Sequence, residues 1–353
     1  MANGLNLNTP KTLINVPIPQ LPTDREVWLA ACITSVRSGT TRHGDRYYDA
    51  SAYNGSGRVS LKVWGETIRK CGELRPGVYG LTGKISFYQE KQQLVVSDYR
   101  EISVEEYKRY QLDDPVLPRA FVLDIETLPL TRYQERARMQ LERALRLGSM
   151  PEAQRLRYEA NAPAEEERVF ASGALSPVTG RMLCVSVHIA PKAYFDAPGL
   201  NPKEHTFGID EGGKEQPESA ALEGFLTLMK EFDPDSDEIV AHNVNFDMSF
   251  IFFRCVVHGL GLSFPLDLGA YNPKGVYDTS RRWAAGARST GPVSLDALAW
   301  ALGEETSKSE EVCGDRVLDL YRAGALGAIR DYNLRDVRLT RKIYERLVKA
   351  LSR

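Results

Sequence analysis

Two carboxylates, Asp124 and Glu126, sit two apart in FVLDIETLPL, an apolar run that reads as a buried strand. On a strand, residues i and i+2 project from one face. Two desolvated like charges there raise each other's pKa, and a divalent cation removes the conflict. Hard oxygen ligands of this kind suit Mg²⁺ or Mn²⁺. A second acid, Asp247, falls in the first turn of an apolar helix in EIVAHNVNFDMSFIFF, flanked by Asn243 and Phe246. The helix dipole favours an acid there, and the position also suits a carboxylate pointed into a cleft. In RDYNLRDVRLTRKIY, Tyr332 and Asp336 are four apart and share a helical face. Thr340 and Tyr344 continue that stripe, so it also reads as a packing surface. Taken singly, each motif has an ordinary structural explanation.

Together, DIET, HNVNFD and YNLRD stand in an order that resembles the DnaQ-like 3′–5′ exonucleases of the ribonuclease H-like superfamily, over about residues 119–350. Position 331 is Asp and position 332 is Tyr, so the chain resembles the tyrosine (DEDDy) branch. The DIETLP opening and the strand in ALSPVTGRMLCVSV are similar to stand-alone relatives of the family B polymerase proofreading domain. The resemblance implies an α/β domain with a mixed central sheet and two divalent ions, Mg²⁺ or Mn²⁺. Asp124, Glu126 and Asp336 would hold one ion, and Asp124, with Asp247 directly or through water, the other. Tyr332 would position the attacking water, because a phenol with a pKa near ~10 is a poor base. Thr127 and Leu128 match positions that touch the terminal nucleotide, and Asn243 one that steadies the scissile region beside Phe246. Products would be nucleoside 5′-monophosphates from a single strand with a free 3′ end.

The elements that must position these residues divide the chain. Residues 1–21 read as a loose tail. Residues 22–104 follow the order strand–strand–strand–helix–strand–strand of an OB-fold, a small Greek-key barrel. RVSLKVW alternates cleanly, and its outward set, with that of the preceding strand, offers Tyr47, Tyr53, Arg58, Lys62 and Trp64 to an oligonucleotide. Phe87, Tyr88 and Lys91 extend that surface near the last hairpin. This segment also resembles the OB domains fused to bacterial 3′–5′ exoribonucleases. Residues 105–118 read as a linker and 119–353 as the exonuclease domain. Within it, 131–170 is a helical insert in which eight Arg face seven Glu. It reads as a clamp over substrate, a partner surface or, on its near-neutral charge, a solvated hairpin. GRMLCVSVHIA reads as a central strand and 191–220 as turns.

A net charge of −2 and a pI near 6.3 give no global pull toward nucleic acid. The N-terminus lacks a signal-peptide pattern, no run is long enough to span a membrane, and the five cysteines form no CxxC pair. Together these point to a reduced, cytoplasmic protein. The leading expectation is a metal-dependent exonuclease on single strands, DNA slightly favoured, with the barrel binding the strand. An exoribonuclease and a non-catalytic single-strand-binding protein are the alternatives.

Overall fold

The computed structural model describes residues 18–89, 91–110, 117–193, 202–234, 236–264, 275–284, 293–308 and 313–351. Their described parts form two compact units, Met1–Arg119 with Pro191–Asn201 and Val348–Arg353, and Ala120–Ala190 with Pro202–Leu347.

The first unit is built on β1 (Glu26–Thr40), β2 (Arg46–Tyr53), β3 (Arg58–Trp64), α1 (Gly65–Cys71), β4 (Gly77–Tyr88), β5 (Lys91–Glu101) and α2 (Val104–Arg109). The strands close into an OB-like barrel in the order β1-β2-β3-β5-β4. Closure is made by a parallel pairing of β3 with β5, and β1–β2, β1–β4, β2–β3 and β4–β5 are antiparallel. Alternation in the sequence sets which residues enter. Tyr48, Ala50 and Ala52 of β2 and Val59, Leu61 and Val63 of β3 fill the interior. A bulge between Thr82 and Gly83 bends β4. Gly83 permits the close approach there, because a Cβ would lie 2.3 Å from the Val95 carbonyl oxygen.

Two expected boundaries shift. Residues 1–17 of the tail lie outside the described residues, but Ile18 and Leu21 are buried in the barrel core. The expected linker also starts as helix α2, where the Ser103 hydroxyl accepts the Glu106 N–H. Val104 and Tyr107, three apart, pack with Leu117 against Ala30, Cys32 and Val78. Residues 111–116 lie outside the described residues.

The second unit runs β6 (Arg119–Pro129), α3 (Tyr133–Arg146), α4 (Glu152–Ala160), α5 (Ala162–Ser172), β7 (Gly180–Pro191), β8 (Lys203–Phe207), α6 (Glu218–Leu228), β9 (Glu238–Ala241), α7 (Val244–Val257), β10 (Val276–Asp278), α8 (Thr279–Trp283), α9 (Leu295–Leu302), α10 (Val317–Arg322) and α11 (Leu326–Leu351). Its five-stranded sheet has the order β10-β9-β6-β7-β8. β6 is parallel to β9 and β9 to β10, whereas β7 and β8 are antiparallel. The sheet is therefore mixed, as expected. Its middle strand is β6, the carboxylate strand, with β7 beside it.

β8 lies where turns were expected. KEHTF is short, half-exposed and polar, so it carries no alternating signal, and pairing with β7 makes it a strand. Helices cover both faces of the sheet. Phe121, Leu123 and Ile125 share a core with Leu222 and Phe225 of α6 and Ile251 and Cys255 of α7. On the opposite face, Leu128 and Cys184 meet Val317 of α10 and Ile329 of α11. α7 ends before Gly259, whose φ of +69° few other residues adopt. The insert is helical as expected, from α3 through α5.

Candidate metal centre and strand-binding face

The parallel ladder between β6 and β9 runs from Ala120↔Glu238 to Val122↔Val240. Beyond it, β9 turns at Asn243 into α7, and β6 carries on to Asp124 and Glu126. Asn243 takes a left-handed conformation (φ 69°, ψ 52°), which Asn tolerates better than most residues. Asp278, the last residue of β10, braces this turn. Its carboxylate accepts the Asn243 and Val244 N–H groups, both at 3.2 Å, and caps α8 through the Ser280 and Arg281 N–H groups. One turn into α7, the Asp247 carboxylate accepts the backbone N–H of Ile125. That bond pins α7 between the two acids of the strand.

From α11, Tyr332, Asn333 and Asp336 project onto the same region, and all are buried. Oxygens of Asp124, Glu126 and Asp336 lie within 4.8 Å of one another. Asp247 stands outside that triplet but close enough for its charge to act on Asp124 and Glu126. Asn333 Nδ2 donates to Asp124 Oδ2 at 2.7 Å, while its own Oδ1 is buried without a partner among the described residues. The Tyr332 and Ser307 hydroxyls hydrogen-bond to the Asp336 side chain. Asp336 Oδ1 remains buried and without a partner among the described residues.

The electrostatics follow from this crowding. Burial, then the charges of Asp336, Asp247 and Glu126, push the Asp124 carboxyl well above the usual carboxylate range. Burial and the charges of Asp336 and Asp247 do the same to Glu126. Asp247 is raised by burial against the pull of its backbone donors. Asp336 is raised by burial, opposed by its hydroxyl partners and by Lys308 and Arg335. Burial and the nearby acids also push the Tyr332 phenol up, so it stays protonated and acts as a donor. Beneath the acids, burial raises the Cys184 thiol well above its ordinary value, leaving it inert.

Not every expected site residue is available. Leu128 is buried among Leu183, Ile209, Val317 and Ile329, so its side chain belongs to the core and not to a ligand. The strand's alternation continues past Glu126 and sends residue 128 under α10 and α11. The Thr127 hydroxyl is occupied by the Ala174 carbonyl, at 2.8 Å. Asn243 is exposed, and Phe246 is half-buried with its ring 5.7 Å from Phe250. His242 braces the second motif, with its ring nitrogens 2.9 Å from Thr279 Oγ1 and 2.8 Å from the Val293 carbonyl. Burial lowers its pKa. Sequence reasoning passed over Asn333 and Ser307. Asn333 had a signal, because it lies three before Asp336 and so on its helical face. Ser307 had none.

On the barrel, one register explains the aromatic face. Tyr47 pairs with Trp64, Asp49 with Lys62, Ser51 with Ser60 and Tyr53 with Arg58, all outward. Lys62 Nζ lies 3.6 Å from the Tyr47 ring centre and 5.0 Å from that of Trp64, and 2.7 Å from Asp49. Arg58 lies over Tyr53 at 5.5 Å. Trp64 is 44% exposed, so it stands free of α1 rather than under it. Across the parallel seam, Ser60 neighbours Gln93, and Ser86, Tyr88 and Lys91 share Gln93's face. Phe87, one residue off, points from the opposite side of the hairpin and does not extend the face.

No family model and no curated protein matches the chain. Among solved structures, the protein PriB from Ralstonia solanacearum matches at 12% identity, over 22% of this chain and 95% of that one, with a TM-score of 0.20. A chain of a replication protein A heterotrimer bound to ssDNA matches at 15% identity, over 24% of this chain and 64% of that one, with a TM-score of 0.21. Likenesses of that score leave the function to be argued from the residues themselves.

Proposed function

We propose that this protein is a two-metal-ion 3′–5′ exonuclease acting on single-stranded nucleic acid, with DNA the preferred strand and the barrel binding it. The observation that carries this reading is the convergence of half-buried Asp124 with buried Glu126 and Asp336, from a strand and a helix, on one point. The sheet supports it. It is a mixed sheet with the carboxylate strand β6 in the middle. The donors fit a hard divalent cation, because all are carboxylate oxygens and Asp336 Oδ1 is buried without a partner among the described residues.

Asp124, Glu126 and Asp336 would hold one ion, and Asp124 and Asp247 the second. Mg²⁺ or Mn²⁺ held there would supply a lowered pKa for bound water and positive charge against the phosphate. The chain's own groups do the rest. Asn333 fixes the rotation of the Asp124 carboxylate, and the Ile125 N–H fixes that of Asp247. Tyr332 donates to Asp336 and orients the water by hydrogen bonding, since a phenol is a poor base at neutral pH. Exposed Asn243 and half-buried Phe246 precede Asp247 on the α7 side. Water attack at the terminal phosphodiester breaks the bond to the 3′ oxygen of the preceding nucleotide, releasing a nucleoside 5′-monophosphate.

The test follows 3′- and 5′-labelled single-stranded DNA and RNA with Mn²⁺, comparing the protein with Asp124→Ala. Release of 3′-terminal mononucleotides, lost in the variant and faster on DNA, is the expected result. Faster loss from RNA would make the protein an exoribonuclease. Intact strands that still bind would leave it a single-strand-binding protein.

A further inference from the structure

The insert carries a feature that its near-neutral composition conceals. On α3 and its N-cap, Arg132, Arg136, Arg143 and Arg146 are all exposed. At 100° per residue they fall within about 80° of the helix circumference, with Met139, itself 59% exposed, among them. The stripe is about 21 Å long. It lies opposite Ala137 and Leu141, the residues that α3 buries. None of the four arginines makes an ion pair among the described residues. Four of the insert's seven acids are engaged elsewhere: Glu165 with Arg157 and Arg168, Glu167 with Arg322, Glu142 with Arg138 and Glu159 with Arg155. Glu135 and Glu142 border the stripe on one side only.

Unpaired guanidinium groups in a row suit a polyanion whose charges also come in a row. The helix is anchored beside the carboxylates. α3 starts a few residues after Glu126, the Leu130 N–H bonds to the Thr179 carbonyl, and a Cβ on Gly173 would meet the Tyr133 ring at 2.6 Å. Arg132 is six residues from Glu126, so their backbones are at most about 22 Å apart.

We propose that the arginine face of α3 binds the phosphate backbone of the single strand whose 3′ end enters the carboxylate site. This rests on the exonuclease reading for the identity of the strand. An acidic protein is the competing partner, and the placement of the stripe next to the carboxylate strand favours the nucleic acid. The insert then acts as a clamp for the strand and not as a solvated hairpin.

The experiment measures binding of the full chain to a labelled 20-nucleotide single strand across a salt series, in EDTA so that the strand stays intact. Replacing all four arginines by Gln lowers the log–log salt slope by about 3, and Arg136→Gln with Arg143→Gln lowers it by about 1.4. The control, Arg138→Gln with Arg155→Gln, removes the same two charges as the double variant, from paired positions elsewhere on the insert, and leaves the slope unchanged. An unchanged slope in the quadruple variant overturns the proposal, as does a loss in the control equal to that of the double variant, which would show only net charge. Failure of the exonuclease reading shows up separately, as strands left uncut in Mn²⁺ while the slope still responds to the stripe.

Discussion

The barrel face and the carboxylate cluster both concentrate charge, but they settle it in opposite ways. On the barrel, Lys62 answers Asp49 at 2.7 Å and lies over Tyr47, with water at hand. Its charges cost little, and its ion pair contributes under about 1 kcal/mol. In the second unit, four acids share one region with hydrogen-bond donors but no opposite charge within the triplet. Their pKa values rise because burial, joined by the acids' mutual repulsion, outweighs their hydrogen-bond donors and, at Asp336, the charges of Lys308 and Arg335. A balanced surface says little about its ligand. A buried imbalance is more telling, since it is removed either by protonation or by a cation of suitable hardness.

That contrast can be broken or sharpened by substitution. The largest effect is expected at Tyr332→Phe, which removes the donor on Asp336 and lowers kcat by about 10²-fold. Calorimetric Mn²⁺ affinity should change little, separating water orientation from metal holding. Next, Asn333→Ala frees Asp124 to rotate and weakens Mn²⁺ binding by about tenfold or more. Calorimetry would show it, and unchanged affinity would reduce Asn333 to packing. On the barrel, Trp64→Ala removes an exposed stacking platform and weakens single-strand binding by about tenfold, read by fluorescence anisotropy. An undiminished affinity would mean that strands bypass this face.

The smallest effect concerns an ordinary ion pair. Glu204 on β8 is held down at about 2 by the Arg338 guanidinium on α11, with His188 assisting. A lowered carboxyl pKa stabilises the fold above the unfolded value near 4.5 and loses that stabilisation as pH falls toward about 2. Arg338 is half exposed, so the contribution is about 1 kcal/mol after screening. Glu204→Gln should lower thermal stability at pH 7 by that amount, with most of the difference gone by pH 2.

How much the sequence disclosed depended on whether one local pattern was enough. The barrel strands alternate over seven residues or more, and the periodicity of 2 separated Val59, Leu61 and Val63 from Arg58, Lys62 and Trp64. The i, i+2 spacing placed Asp124 and Glu126 on one face, and the i, i+4 spacing joined Tyr332 to Asp336. What escaped depended on tertiary contacts. β8 is a strand because β7 offers an edge. Leu128 is core because two helices cover it. Ser307 reaches Asp336 from a loop whose sequence gives no sign of its neighbour. The arginine stripe was legible in spacing, but composition averaged it away. Its meaning required knowing which of the insert's acids were already engaged.

The most direct measurement of the central claim is the thermal midpoint of the protein and of Asp124→Asn, each in EDTA and in Mn²⁺ at pH 7.5. Removing one charge from an unneutralised buried cluster should raise the metal-free midpoint, by about 1–2 kcal/mol of stability. Mn²⁺ should raise the midpoint of the parent chain and leave the variant nearly unmoved. A parent midpoint indifferent to millimolar Mn²⁺, or a variant less stable than the parent in EDTA, would contradict the account.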